Sequence, residues 1–179
     1  SNGTPAGTQL LRSVAPGESS GLPDDMTRVG SLAFFSTQDA GFGRELRRTD
    51  GTAGGTFRLG EGRPGPEDSN VHELCAVGST LYFVATNSTL GEELWKSDGT
   101  VAGTVLVKDI APGTGSSAPH ELTALGDTLL FLADDGTNGD ELWKSNGSAV
   151  GTTLVKDIFA GPTGSGGSAL TAVGSTLFF

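Results

Sequence analysis

The chain of 179 residues has one cysteine, one methionine, one tyrosine, two tryptophans and two histidines. A single thiol, Cys75, excludes an intrachain disulfide framework and a multi-cysteine zinc site, and it reads as a small buried hydrophobe. A catalytic thiol would need a histidine partner, and only His72 and His120 exist. Basic residues are also scarce. Eleven Lys and Arg stand against 21 Asp and Glu, for a formal charge of -10 and a pI near 4.4. That balance excludes a nucleic-acid binder, which needs clustered cations against the phosphate backbone. No apolar run approaches the ~18 residues of a membrane-spanning helix, and the first residues lack the basic start and apolar stretch of a secretory signal. Any targeting signal is therefore expected upstream of this sequence. No 11-residue stretch has helical periodicity.

What the chain has in excess is glycine, with 29 residues. Their positions decide between a flexible linker and an ordered repeat. Sliding the sequence on itself gives a register of 48 residues: Gly recurs at 3, 51, 99 and 147, at 7, 55, 103 and 151, at 17, 65, 113 and 161, at 30, 78, 126 and 174, and at 43, 91 and 139. Glycines held in step are turn positions of a repeated backbone. The units are 1–48, 49–96 and 97–144, with a partial fourth at 145–179.

Each unit reads as four short strands. In the third, "TVLVKDI" (104–110) is β-branched and runs into a Pro/Gly/Ser loop. "HELTAL" (120–125) and "TLLFLA" (128–133) flank a Gly-Asp break, and "DELWKS" (140–145) follows the turn "DDGTNG". The unbroken apolar run of the second of these suits a strand covered on both faces. Four strands every 48 residues predict an all-β, propeller-like array of four-stranded antiparallel blades. One such unit cannot bury both faces of its sheet alone, so neighbours must stack. Phe35, Phe83, Phe131 and Phe179 keep the step and are expected as packing positions, with Trp95 and Trp143 as anchors between blades. Arg47 replaces the Trp in the first unit, which predicts a more exposed flank there.

The octapeptide Glu93-Leu94-Trp95-Lys96-Ser97-Asp98-Gly99-Thr100, with Glu141-Leu142-Trp143 and the degraded copy Glu45-Leu46-Arg47-Arg48-Thr49-Asp50-Gly51-Thr52, resembles the bacterial ELWxxDGT repeat family. The resemblance implies a propeller-like array, secreted or at the bacterial cell surface, and it supplies no catalytic residue. Relative to four complete units, 13 residues that would hold the fourth Glu-Leu-Trp strand are missing. The chain is therefore expected to be a segment of a longer propeller, or to be completed by a partner strand or by self-association.

Several residues could carry chemistry. His72-Glu73 and His120-Glu121 lie 48 apart and have side chains suited to a divalent metal or another ligand. Asp24-Asp25 and Ser168-Ala169 take those places elsewhere, so polar strand starts facing solvent are the simpler reading. "ADDGTNGDE" (133–141) resembles a calcium loop, but its counterparts lose the carboxylates, and a hairpin turn is expected. Glu45, Glu93 and Glu141 read as part of each unit's architecture, and Lys108-Asp109 and Lys156-Asp157 as ion pairs of small value. No catalytic motif is present, and no cofactor is called for. The expected function is a non-enzymatic extracellular scaffold that binds a protein or a cell-surface component. The alternatives are a lectin-like propeller, disfavoured because Phe42 and Phe159 are not equivalent positions, and a propeller hydrolase or lyase.

Overall fold

A computed structural model describes residues 1–14, 21–39, 43–60 and 69–179. The described chain is all-β, without a helix. β1 (Asp24–Val29), β2 (Leu32–Asp39), β3 (Gly43–Thr49) and β4 (Phe57–Arg58) form a first antiparallel sheet in chain order. β5 (His72–Val77), β6 (Thr80–Asn87), β7 (Gly91–Ser97) and β8 (Val105–Lys108) form the second, and β9 (His120–Leu125), β10 (Thr128–Asp134), β11 (Asp140–Ser145) and β12 (Thr153–Lys156) the third. β13 (Thr171–Val173) and β14 (Thr176–Phe178) make a two-stranded fourth sheet. The 48-residue step extends to pairing register, since Phe35 faces Arg47, Phe83 faces Trp95 and Phe131 faces Trp143.

Strand alternation then sorts the apolar residues between neighbours. Leu81, Phe83, Ala85 and Trp95 of the second sheet share a core with Phe34 and Leu46 of the first. Tyr82 and Leu94, on the opposite face, share one with Leu129, Phe131, Ala133 and Trp143 of the third. Leu130, Leu132 and Leu142 meet Leu170 and Leu177 of the fourth region. β6 and β10 are apolar along nearly their whole length because each is pressed from both sides. Contacts between sheets concentrate on the first strand of each, β1 with β5, β5 with β9, and β9 with β13. The sheets thus converge along one edge.

The Asx-Gly-Thr part of the signature is a self-contained turn. Asp98 Oδ1 accepts from the Thr100 N–H at 2.8 Å and from the Thr100 hydroxyl at 2.7 Å, and Thr100 Oγ1 accepts from the Gly103 N–H at 2.9 Å. The same bonds recur after Asn2, Asp50 and Asn146. This turn lies on the preceding sheet, where Lys96 Nζ donates to the Gly147 carbonyl at 2.7 Å. Gly147 has φ +85°, and a Cβ there would stand 2.5 Å from the Tyr82 hydroxyl, so both backbone and space demand glycine.

Three expectations need correction. Arg47 is buried, because its Nε donates to Thr37 Oγ1 at 2.8 Å and its Nη2 to the Val14 carbonyl at 3.0 Å; residues 12–14 cover the flank predicted to be open. Lys108 does not pair with Asp109 but reaches the next sheet, donating to the Thr152 carbonyl at 2.9 Å and standing 5.6 Å from the Trp143 ring. Phe35, Phe83 and Phe131 are buried as expected, whereas Phe179 is exposed, because its sheet lacks the strands that cover its counterparts.

Candidate functional site

Glu45, Glu93 and Glu141 recur on the third strand of each four-stranded sheet. Glu93, fully buried on β7, accepts from the N–H groups of Ile110 and Ala111 at 3.0 and 3.1 Å and from the Ser117 hydroxyl at 2.6 Å. It clamps the loop that carries the chain from one unit into the next. Glu141 accepts from the Phe159 N–H at 2.9 Å, and Glu45 from the Ser69 hydroxyl at 3.2 Å. Ser69, Ser117 and Ser165 recur at the 48-residue step, a signal that could have disclosed the clamp from sequence.

The two equivalent carboxyls titrate in opposite directions. Burial pushes Glu93 above the usual glutamate value, its hydrogen bonds pull the other way without prevailing, and the Asp109 charge adds to the rise. For Glu141 burial again opposes ionisation, but the bond from the Phe159 N–H, together with the Ser165 hydroxyl and the N–H groups of Ile158 and Ser165 close by, outweighs it and holds the carboxyl low.

The structure separates the members of each predicted His-Glu pair. His72 Nδ1 donates to the Asn70 carbonyl at 2.6 Å, and its Nε2 stands 3.8 Å from Glu92 on β7. His120 repeats this with the Ala118 carbonyl at 3.1 Å and Asp140 at 3.6 Å. In the first sheet the same two positions hold Asp24 and Arg44, 3.4 Å apart, with the charges exchanged. The position is a cross-strand ion pair, rather than a strand start facing solvent alone. Each of these pairs involving His is ionic only when the imidazole carries its second proton.

Glu73 and Glu121 point elsewhere. Both have left-handed backbones, φ 55° and 56°, at a bulge that Asp25 shares, and Ala169 repeats the left-handed backbone with φ 58°. Glu73 Oε2 accepts from the Leu122 N–H at 3.3 Å, and Glu121 Oε2 from the Leu170 N–H at 3.2 Å, each on the next sheet. The dipeptide therefore splits, with the histidine tied to its own sheet and the glutamate to the neighbour. Among the described residues no three His, Cys, Asp or Glu side chains gather as a metal site. The 133–141 segment is a hairpin turn, in which Asp135 Oδ1 accepts from the N–H groups of Thr137 and Asn138 at 2.9 and 2.8 Å. Cys75 is half-buried at the edge of the second core. Phe159 is exposed, and Phe42 lies outside the described residues.

No family model matches the chain, and no curated protein matches it. Among solved structures, the AtxE2 isopeptidase in its apo form superposes with a TM-score of 0.54 at 12% identity, over 80% of this chain and 21% of that one. The computationally designed Ika8 protein is similar with a TM-score of 0.41 at 14% identity, over 77% of this chain and 37% of that one. This chain spans about a fifth of the isopeptidase chain, and at that identity the likeness concerns the fold.

Proposed function

We propose that this chain is a propeller-like repeat scaffold of the ELWxxDGT type that works outside the bacterial cell by holding a protein or a cell-surface component, without catalysis. The observation that carries the reading is the use made of the signature's polar residues. Glu93 closes on backbone N–H groups, and Asp98 and Thr100 close on their own turn. Residues repeated in every unit thus serve the array, and variation is left to the outer strands and loops, where scaffolds carry their binding surfaces. Sheets converging on their first strands support a radial arrangement of blades.

The test is binding of the labelled chain to washed bacterial cells. Saturable binding that protease treatment of the cells abolishes supports a protein partner. Binding that survives protease and is lost after periodate oxidation of the cells supports the lectin alternative. Turnover of a polysaccharide or peptide substrate by the purified chain would overturn the non-enzymatic reading, and so would failure to bind any surface tested.

A further inference from the structure

The histidines that open β5 and β9 are each held by one ring nitrogen. Nδ1 of His72 donates to the Asn70 carbonyl and Nδ1 of His120 to the Ala118 carbonyl, and both carbonyls belong to residues with a left-handed backbone, φ 44°. With the proton on Nδ1, Nε2 of the neutral ring carries only a lone pair. That lone pair stands toward a carboxylate, Glu92 Oε1 at 3.8 Å and Asp140 Oδ2 at 3.6 Å. Two acceptors in this position repel, and a proton on Nε2 turns the contact into an attraction of opposite charges. In the first sheet the guanidinium of Arg44, charged throughout, meets Asp24 at 3.4 Å in the same place.

The two carboxylate residues also hold the following unit. The Glu92 carbonyl accepts from the N–H groups of Ser117 and Ala118 at 3.0 and 3.3 Å, and the Glu92 N–H donates to Ser116 Oγ at 3.0 Å. The Asp140 carbonyl accepts from the Ser165 N–H at 2.9 Å. A line of polar contacts therefore runs along one end of the sheets, from His72 through Glu92 and Ala118 to His120, Asp140 and Ser165. The ionisable groups around it are mostly acidic: Asp24 and Asp25 on β1, Glu73 on β5, Glu93 on β7, Glu121 on β9, Asp134 on β10 and Glu141 on β11. Arg28 turns to the Gly30 carbonyl at the other end of β1, Tyr82 on β6 lies toward Gly147, and β2 and β13 add no ionisable group among the described side chains.

From this geometry we infer that His72–Glu92 and His120–Asp140 are proton-operated clasps, which tighten the junctions from the second sheet to the third and from the third to the fourth on mild acidification. The strand end that each imidazolium draws in is the one whose backbone carbonyl holds the next unit's loop. The clasps open again in stronger acid as the carboxyls are neutralised. Burial, with the charges of Asp134 and Glu141, raises Asp140 against the pull of His120 and brings that opening on early in the third sheet. The inference stands on contacts within the chain and is independent of which surface the scaffold binds, so loss of cell binding would leave it standing.

The experiment is amide exchange of the whole chain by NMR at about pH 8 and about pH 5.5, each rate divided by its intrinsic value. Protection at the N–H groups of Ser117, Ala118 and Ser165 is expected to rise about two- to fivefold at the lower pH. The double variant His72→Gln with His120→Gln should lose the rise. The double variant His72→Arg with His120→Arg, charged at both pH values, should keep the high protection at both. Because Glu93 binds the Ser117 hydroxyl and also titrates, a rise that persists in the glutamine variant would assign the effect to Glu93 and overturn the proposal. Flat protection in the parent chain, or an equal rise at the Gly103 and Gly151 amides of the Asx-Gly turns, would overturn it as well.

Discussion

The second sheet and the fourth contain closely matching residues in different surroundings. Phe83 on β6 is wholly buried between two neighbours, and Phe179, at its equivalent position, is half in water. Trp95, and Val107 and Ile110 after it, lie in dry cores, while Val155 on β12 of the third sheet and Ile158 after it, next to the fourth, are open. Local sequence is nearly held constant across this pair, so the difference isolates what a neighbouring strand contributes. An apolar residue in a repeat takes its burial from the adjoining unit as much as from its own.

The largest effect that can break this comparison is deletion of the aromatic ring at the two sites. Phe131→Ala leaves a cavity in a closed core and is expected to cost about 3 to 5 kcal/mol, read from the urea midpoint. Phe179→Ala removes a ring already half hydrated and should cost about 1 kcal/mol or less. Equal losses would mean that the two rings are equally covered in solution.

A smaller effect sharpens the same contrast through the clamps. Because Glu93 titrates above its unfolded value, its contribution to stability is full below the unfolded pKa and is lost as pH rises through the folded pKa. Glu141 titrates below its unfolded value, so its contribution is present above the unfolded pKa and is lost as pH falls through the folded one. Carboxyl NMR titration should place Glu93 above the ordinary glutamate midpoint and Glu141 below it. Glu93→Gln should therefore flatten the loss of stability on raising pH through the Glu93 transition, and Glu141→Gln the loss on acidification.

The smallest effect lies in the turns. Gly51 and Gly147 share the left-handed backbone, with φ +88° and +85°, but only Gly147 lies under a preceding sheet's side chain. Gly51→Ala should cost about 1 kcal/mol from backbone strain alone, and Gly147→Ala about 1 kcal/mol more from displacing the Tyr82 hydroxyl, measured as the difference in unfolding free energy.

Strand positions were readable in the chain to within a residue or two. "HELTAL" and "DELWKS" are β9 and β11 as read, and "TLLFLA" is β10 short by Asp134. "TVLVKDI" forms a strand only over Val105–Lys108, because the residues after Lys108 leave the sheet for the Glu93 clamp. The candidate site was less legible. His72 and Glu73 are adjacent in sequence, and the left-handed bulge at Glu73 sends their side chains to different sheets. Adjacency in a chain says nothing of direction where the backbone leaves the regular strand.

The sequence by itself determined the period, the strands and the turns, because glycine spacing, β-branched runs and Asx-Gly-Thr bonding act over a few residues. Only the tertiary structure decided which carboxylate meets which histidine, which glutamate crosses to the next sheet, and why Glu93 and Glu141 titrate apart. Those outcomes depend on groups brought together from distant parts of the chain and on how much water the neighbouring sheet excludes, and neither is encoded within a single unit.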